Sequence, residues 1–124
     1  MIIQKYMKNF FKSFVYAFNG IFTTIKKERN IKIHIIIMIL VIIFGIILKI
    51  SKIEWIICIT LFGLVISMEL INTAVENTVD LITKEKNEQA KNAKDVAAGA
   101  VLVSAISSAI IGVIIFLPKV LSIF

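Results

Sequence analysis

Residues 53–80 read IEWIICITLFGLVISMELINTAVENTVD, and this stretch decides the fold. Its first sixteen residues are nearly all apolar, apart from Glu54, Thr60 and, near their end, Ser67. Crossing the hydrocarbon layer takes about 20 mostly apolar residues as a helix, and strands with open edges would leave unpaired backbone groups in lipid. Three blocks qualify, at about residues 31–48, 53–79 and 96–117. We therefore expect an all-α integral membrane protein whose third span ends at Pro118, since proline interrupts a helix.

The composition favours the same class of protein. Hydrophobic residues make up 59% of the 124 residues and charged residues 18%, which disfavours both a disordered chain and a water-soluble globule. The single cysteine, Cys58, excludes an intrachain disulfide and a zinc site with several thiolates. A chain of this length forms one domain, so we expect a single membrane domain over residues 1–124.

The net charge of +6 is distributed unevenly along the chain. Of the fourteen Lys and Arg residues, ten lie before the first predicted span or between the second and the third, and Lys32 lies at the entry of the first, on the same side. The positive-inside rule then places the N-terminus and the second loop in the cytoplasm. No basic segment lies outside this pattern, so the charge indicates membrane topology and disfavours a nucleic-acid partner.

The segment before the first span has its own pattern. Apolar side chains recur there every three or four residues, at Ile3, Met7, Phe10, Phe14, Phe18, Ile21 and Ile25. Lys5, Lys8 and Lys12 lie on the opposite stripe. This pattern predicts a basic amphipathic helix over about residues 3–27, lying in the cytoplasmic membrane surface. The alternative is a core helix of the bundle, in which these lysines would face apolar neighbours.

Four polar residues occupy one face of the second span. Glu69, Asn72, Glu76 and Asp80 are separated by three, four and four positions, which places them on one side of a helix. Acidic groups in a span are costly and are functional candidates by default. At 1.5 Å per residue, Glu69 is roughly 24 Å from Ile53, near the cytoplasmic limit of the hydrocarbon layer.

Other polar groups reach the same level from the neighbouring spans. Glu28 precedes the first span, and Lys94 and Asp95 precede the third. Carboxylates that lie close together repel one another unless a cation or a proton is shared between them. Mg²⁺ binds through one or two carboxylates and substrate phosphates, and Glu28 and Glu76 suit it if their helices touch. Glu69 would then face a hydroxyl group at the lipid surface, as a general base should.

Simpler interpretations of these residues stay open. Asn72 could serve helix–helix contact, Glu76 and Asp80 could end the helix among headgroups, and His34 is most simply an ordinary polar residue at the interface. The chain has no phosphate-binding GxxxxGK[ST] loop and no protein-kinase signature. A small transporter and a non-catalytic subunit therefore remain alternatives, although a transporter site should lie near the bilayer midplane.

Four segments together resemble the prokaryotic diacylglycerol kinase family. They are residues 69–80, ELINTAVENTVD; residues 13–20, SFVYAFNG; residues 28–34, ERNIKIH; and residues 93–101, AKDVAAGAV. Their order and spacing match the family, and the resemblance as a whole covers most of the chain. The resemblance implies a surface helix and three spans assembled as a homotrimer, with active sites between subunits at the cytoplasmic face of the bacterial membrane. It also implies phosphate transfer from ATP, with Mg²⁺, to a lipid alcohol.

The resemblance further assigns roles to individual residues. Glu69 is the expected base, and Asn72, Asp80 and Lys94 are expected beside it in the catalytic site. Residues expected to contact the nucleotide are Tyr16, Glu28, Glu76, Glu85, Lys86, Asn87, Lys94 and Asp95. Glu28 and Glu76 match the family's metal-binding carboxylates, and Lys8 or Lys12 matches a basic residue that faces the site. The segment around His34 is similar to the Gram-positive branch, which implies undecaprenol as the substrate, with diacylglycerol as the alternative.

Overall fold

Four helices account for nearly the whole chain. The computed structural model describes all residues from Met1 to Phe124, and it contains α1 (Ile2–Lys27), α2 (Arg29–Ile47), α3 (Lys52–Ile82) and α4 (Glu88–Leu121). No strand is present. The prediction of an all-α protein is confirmed.

Helices α2, α3 and α4 are each long and apolar enough to cross a membrane. The 19 residues of α2 correspond to roughly 28 Å, close to the thickness of the hydrocarbon layer. The 31 residues of α3 and the 34 of α4 correspond to roughly 46 Å and 51 Å, so both exceed that layer. Both therefore extend past α2 as continuous helices, and Asp80 and Lys94 lie on these extensions.

The end of α4 differs from the expectation that it stops at Pro118. The helix continues through Pro118 to Leu121, and the Ser122 N–H donates to the Pro118 carbonyl at 3.1 Å. Proline lacks the N–H that would bond to the residue four positions earlier, and its ring crowds that residue's carbonyl. The residues after Pro118 keep their own N–H groups, and these complete one further turn, as the bond from Ser122 shows.

Helix α1 is joined to α2 at Glu28, whose extended backbone (φ −94°, ψ 124°) ends one helix and begins the next. Helix α1 buries none of its residues within the chain, and Phe10 and Phe14, which meet edge to face at 5.1 Å, stay exposed. In the whole chain only 10 of 124 residues are buried. Lipid or further subunits must therefore cover most of the apolar surface.

Packing within the chain is uneven. Helix α4 packs along α3, and α2 contacts α3 less extensively, whereas no Cα atom of α2 approaches α4 within 8 Å. This separation leaves an apolar cavity of about 240 Å³ between the three helices, lined by residues such as Met38, Phe62, Val65 and Ala109. His34 lies in its wall.

The end of the bundle that contains the α2–α3 turn, residues 48–51, is called the hairpin end. Ser51 caps α3 there: its hydroxyl accepts from the Glu54 N–H at 3.2 Å, and Glu54 Oε1 accepts from the Ser51 N–H at 2.9 Å. The same Glu54 oxygen lies 3.1 Å from Lys119 Nζ on α4. Ile50, Cys58 and Ile115 form a small buried core beside this turn. The hairpin end therefore fixes α2, α3 and α4 to one another.

Candidate active site

The opposite end of the bundle, where residues 83–87 join α3 to α4, is called the loop end. On α3, between the middle of the bundle and this end, Glu69 is only 3% exposed although it carries a carboxylate. Its one ion-pair or hydrogen-bond partner among titratable side chains is His34 on α2, whose Nε2 lies 3.2 Å from Glu69 Oε1. The sequence predicted Glu69 as the deepest functional carboxylate, and the structure places it inside the bundle.

The sequence does not predict the contact of His34 with Glu69, because His34 alone is most simply an ordinary polar residue at the interface. The position of His34 on α2 explains this contact. His34 follows Ile31 by three residues, so the two share a face of α2, and Ile31 is fully buried against the rest of the chain. A polar residue one turn further along an inward face points toward the neighbouring helices, which is where Glu69 lies.

One turn beyond Glu69, Asn72 and Thr73 are also buried. The Asn72 side-chain N–H donates to Glu76 Oε1 at 3.3 Å. The Asn72 carbonyl oxygen, Oδ1, is buried with no hydrogen-bond partner in the chain. Leaving a buried acceptor unpaired costs about 1–3 kcal/mol, so an unpaired Oδ1 beside a carboxylate marks a place suited to a cation or a donor from a ligand.

At the loop end, Lys94 on α4 lies 2.5 Å from Asp80 on α3 and joins the two helices. A polar recess of about 640 Å³ lies around this ion pair. Its wall includes six of the residues predicted from the sequence: Asp80, Glu85, Lys86, Asn87, Lys94 and Asp95. These residues come from three separate segments, and the fold brings them together.

Two residues of this recess also have structural roles. Asn87 is the N-cap of α4, and its Oδ1 accepts from the Ala90 N–H at 3.0 Å. Asp95 lies 2.5 Å from Lys91, one turn earlier on α4. The Asn87 oxygen is therefore engaged by the helix, and only its side-chain N–H₂ group is left to donate to a ligand.

A second recess, of about 270 Å³, lies beside Glu69. Its wall combines Glu69, His34 and Asn30 with apolar residues of α4 such as Val101 and Leu102. It shares His34 and Ala105 with the apolar cavity described above. A carboxylate at the edge of a largely apolar recess suits a molecule with one polar end and a hydrocarbon remainder.

Some predicted site residues are not brought into either recess. Tyr16 is 68% exposed on α1, and Glu28 lies at the α1–α2 junction. Glu28 and Glu76 are near enough to Glu69 for their charges to repel its carboxylate. No group of three or more His, Cys, Asp or Glu side chains within the chain is arranged to hold a metal ion. Lys8 and Lys12 remain on the exposed surface of α1.

The two recesses are separated along α3. Glu69 and Asp80 are eleven positions apart, which corresponds to roughly 16 Å of helix. A reaction that uses both must therefore involve a substrate that reaches across this distance or a further chain that closes it. Either way, the arrangement combines a buried carboxylate beside apolar surface with a recess of basic and acidic residues that suits a polar, phosphorylated molecule.

Comparison with known proteins decides the family. Residues 15–116 match the sequence model of the prokaryotic diacylglycerol kinases. The chain belongs to this family. It is 51% identical over 113 residues to the undecaprenol kinase of Bacillus subtilis (strain 168), covering 91% of this chain and 92% of that protein. It is 39% identical over 115 residues to a diacylglycerol kinase of Synechocystis sp. (strain ATCC 27184 / PCC 6803 / Kazusa), covering 92% of this chain and 66% of that protein. The family resemblance predicted from the sequence is confirmed.

Proposed function

We propose that this protein phosphorylates undecaprenol with ATP and releases undecaprenyl phosphate at the cytoplasmic face of the membrane. The chain is a lipid kinase by its family and by both relatives, and the relative of matching length is an undecaprenol kinase. The structural observation that carries the proposal is the position of Glu69, a buried carboxylate on the wall of a largely apolar recess.

The proposed reaction divides between the two recesses. The lipid hydroxyl group reaches Glu69, which accepts its proton as general base, while the polyprenyl chain stays against apolar surface. The nucleotide lies toward the loop end, where Lys94 and Lys86 supply positive charge for its phosphates. Phosphate transfer depends mainly on position and on neutralising charge, so these two groups of residues supply what the chemistry needs.

The residues beside Glu69 fit a magnesium ion. Mg²⁺ prefers oxygen ligands, and it is usually held by one or two carboxylates together with substrate phosphates and water. Glu76 offers a carboxylate, the neighbouring Asn72 Oδ1 is an unpaired buried oxygen, and Glu28 supplies a second carboxylate. We propose that Glu28 and Glu76 hold the ion, which would neutralise phosphate charge during the transfer.

The proposed assembly is a homotrimer with shared active sites. A single chain leaves roughly 16 Å of α3 between its two recesses, and it leaves Tyr16 on the exposed surface of α1. A neighbouring subunit could cover the apolar faces and bring its own α1 to the site. We propose that α1 lies in the cytoplasmic membrane surface and that the N-terminus and the loop end are both cytoplasmic, as the charge distribution indicates.

Diacylglycerol is the second candidate substrate, because the other relative is a diacylglycerol kinase. A transporter is not favoured. Toward the hairpin end, the cavity next to His34 is lined almost entirely by apolar side chains, which offer no polar path for an ion or solute.

The test is phosphate transfer from labelled ATP in mixed micelles, with undecaprenol and diacylglycerol offered separately and Mg²⁺ present. We expect strong labelling of undecaprenol. Preferential labelling of diacylglycerol would replace the proposed substrate but keep the reaction. No labelling of either lipid by the intact assembly would reject the kinase proposal.

A further inference from the structure

The contact between His34 and Glu69 connects two helices that otherwise meet sparingly. His34 Nε2 on α2 lies 3.2 Å from Glu69 Oε1 on α3, and the two side chains are 21% and 3% exposed. No other side chain or backbone group of the chain is within hydrogen-bonding reach of this carboxylate. Within the chain, His34 Nε2 is thus the one hydrogen-bonding partner of the Glu69 carboxylate.

A buried carboxylate is costly unless a donor or an opposite charge supports it. The charged neighbours of Glu69 on the adjoining segments are Glu28 and Glu76, and both are acidic. The residues of α4 that face the recess are uncharged, namely Ala98, Val101, Leu102 and Ala105. Within the chain, His34 is therefore the group that can stabilise the ionised form of Glu69, which is the form that a base needs.

His34 is also placed to fix the direction of the carboxylate. It follows the fully buried Ile31 by three residues on the same face of α2, and its ring lies in the walls of both the recess beside Glu69 and the apolar cavity. A ring held between two helices in this way restricts the carboxylate that it contacts. Contact at Oε1 leaves Oε2 as the oxygen that can face a substrate.

We propose that His34 is a positioning residue: its Nε2–H donates to Glu69 Oε1 and directs Oε2 toward the lipid hydroxyl group. This inference rests on the proposed function. In the transfer, the alcohol O–H bond breaks and its proton goes to Glu69 Oε2. The alcohol oxygen bonds to the γ-phosphorus, and the bond from that phosphorus to ADP breaks. His34 neither gains nor loses a bond in this step.

Three substitutions separate the effect of the Nε2–H donor from the effect of the ring's volume. His34→Gln keeps an amide N–H₂ group at the position of Nε2, His34→Asn places its amide about one bond short, and His34→Leu removes the donor. We expect kcat to fall about 10–100-fold in the Leu and Asn variants, as for other side chains that orient a functional ligand. We expect the Gln variant to retain most of the activity, and the KM values for ATP and lipid to change little in all three. Wild-type kcat in His34→Leu would overturn the proposal, and so would an equal loss in Gln and Leu variants, which would indicate packing alone.

A second measurement does not depend on activity. His34 is the single histidine of the chain, so with ¹⁵N-labelled histidine both ring nitrogen signals come from this residue, and only Nδ1 and Nε2 have to be distinguished. We expect a hydrogen-bearing Nε2 whose resonance shifts in Glu69→Gln, because a neutral amide accepts more weakly than a carboxylate. Identical ring signals in both proteins would overturn the contact. Failure of the proposed function is a different result: the wild-type protein would phosphorylate no lipid alcohol, whatever the histidine signals show.

Discussion

The two ends of α3 both carry carboxylate side chains, but these side chains differ in how many hydrogen-bond partners they have within the chain. At the hairpin end, Glu54 has all its partners inside the chain: the Ser51 N–H at 2.9 Å and Lys119 at 3.1 Å. Toward the loop end, Glu69 has only His34, and the buried Asn72 Oδ1 has no partner. The hairpin end also carries the buried apolar core of Ile50, Cys58 and Ile115.

We expect this difference to distinguish, along one helix, the residues that stabilise the fold from the residues that serve the reaction. Polar groups that are fully paired within the chain stabilise the fold and have no remaining capacity for a ligand. Buried polar groups that stay partly unpaired cost stability, and such costs are tolerated at functional sites. Substitutions toward the loop end should therefore change activity, whereas those at the hairpin end should change the free energy of unfolding.

The largest expected effect is that of Glu69→Gln. Removing a general base costs about 10²–10⁴-fold in rate, and the amide keeps nearly the same shape, so the assembly should remain folded. The measurement is kcat for phosphate transfer to undecaprenol. The matched control is Glu54→Gln, which neutralises a carboxylate at the other end of the same helix. Equal turnover by Glu69→Gln and the parent protein would remove Glu69 from the mechanism, and an equal loss in both variants would contradict the division between the two ends.

The next effect in size is that of Glu76→Gln. If Glu76 holds Mg²⁺ with Glu28, the amide should weaken the use of Mg²⁺–ATP, and the Mg²⁺ concentration for half-maximal rate should rise about 10-fold or more. The hydrogen bond from Asn72 can persist, because the Gln carbonyl oxygen still accepts. The readout is the rate as a function of Mg²⁺ at fixed ATP. An unchanged Mg²⁺ dependence would reject the metal-binding role.

The same contrast explains what the sequence could predict. Three apolar blocks and the spacing of Glu69, Asn72 and Glu76 were enough for the helices and for the polar face, because length and periodicity decide both. The His34–Glu69 contact was not predictable from the sequence alone, since it depends on how α2 and α3 are rotated against each other, and the inward face of α2 is identified by the burial of Ile31 in the structure. The family resemblance supplied Glu85, Lys86 and Asn87, but the role of Asn87 as N-cap came from the structure. The predicted end of α4 at Pro118 was wrong, because a proline leaves the N–H groups of the residues after it intact, and these continue the helix to Leu121.

At the hairpin end, Gly45→Ala should destabilise the fold while leaving the chemistry intact. A Cβ atom at Gly45 would lie 2.7 Å from the Trp55 ring, closer than packed atoms allow. Overpacking of this kind costs about 1–3 kcal/mol of unfolding free energy. Trp55 is the single tryptophan, so its fluorescence reports both the local change and unfolding in denaturing detergent.

The control for this substitution is Gly63→Ala on α3, where a Cβ atom meets nothing within 4 Å. Alanine there should be neutral or slightly stabilising, because it favours a helix by up to about 1 kcal/mol over glycine. If both variants unfold at the same detergent concentration, the close packing of Gly45 against Trp55 does not contribute to the free energy of unfolding.

The smallest expected effect is that of Ser51→Ala. Its hydroxyl accepts from the Glu54 N–H, and the reciprocal bond from the Ser51 N–H helps to hold the Glu54 carboxylate, which also faces Lys119. Loss of a serine N-cap costs about 1 kcal/mol, and here the bonds to Glu54 are linked, so the α3–α4 ion pair should loosen as well. The measurement is the free energy of unfolding of Ser51→Ala, of Lys119→Met and of the double variant, with Ser107→Ala, at an exposed serine of α4, as the control. A double variant whose loss equals the sum of the single losses would mean that cap and ion pair act separately, and the hairpin end would then be held by two independent contacts instead of one connected group.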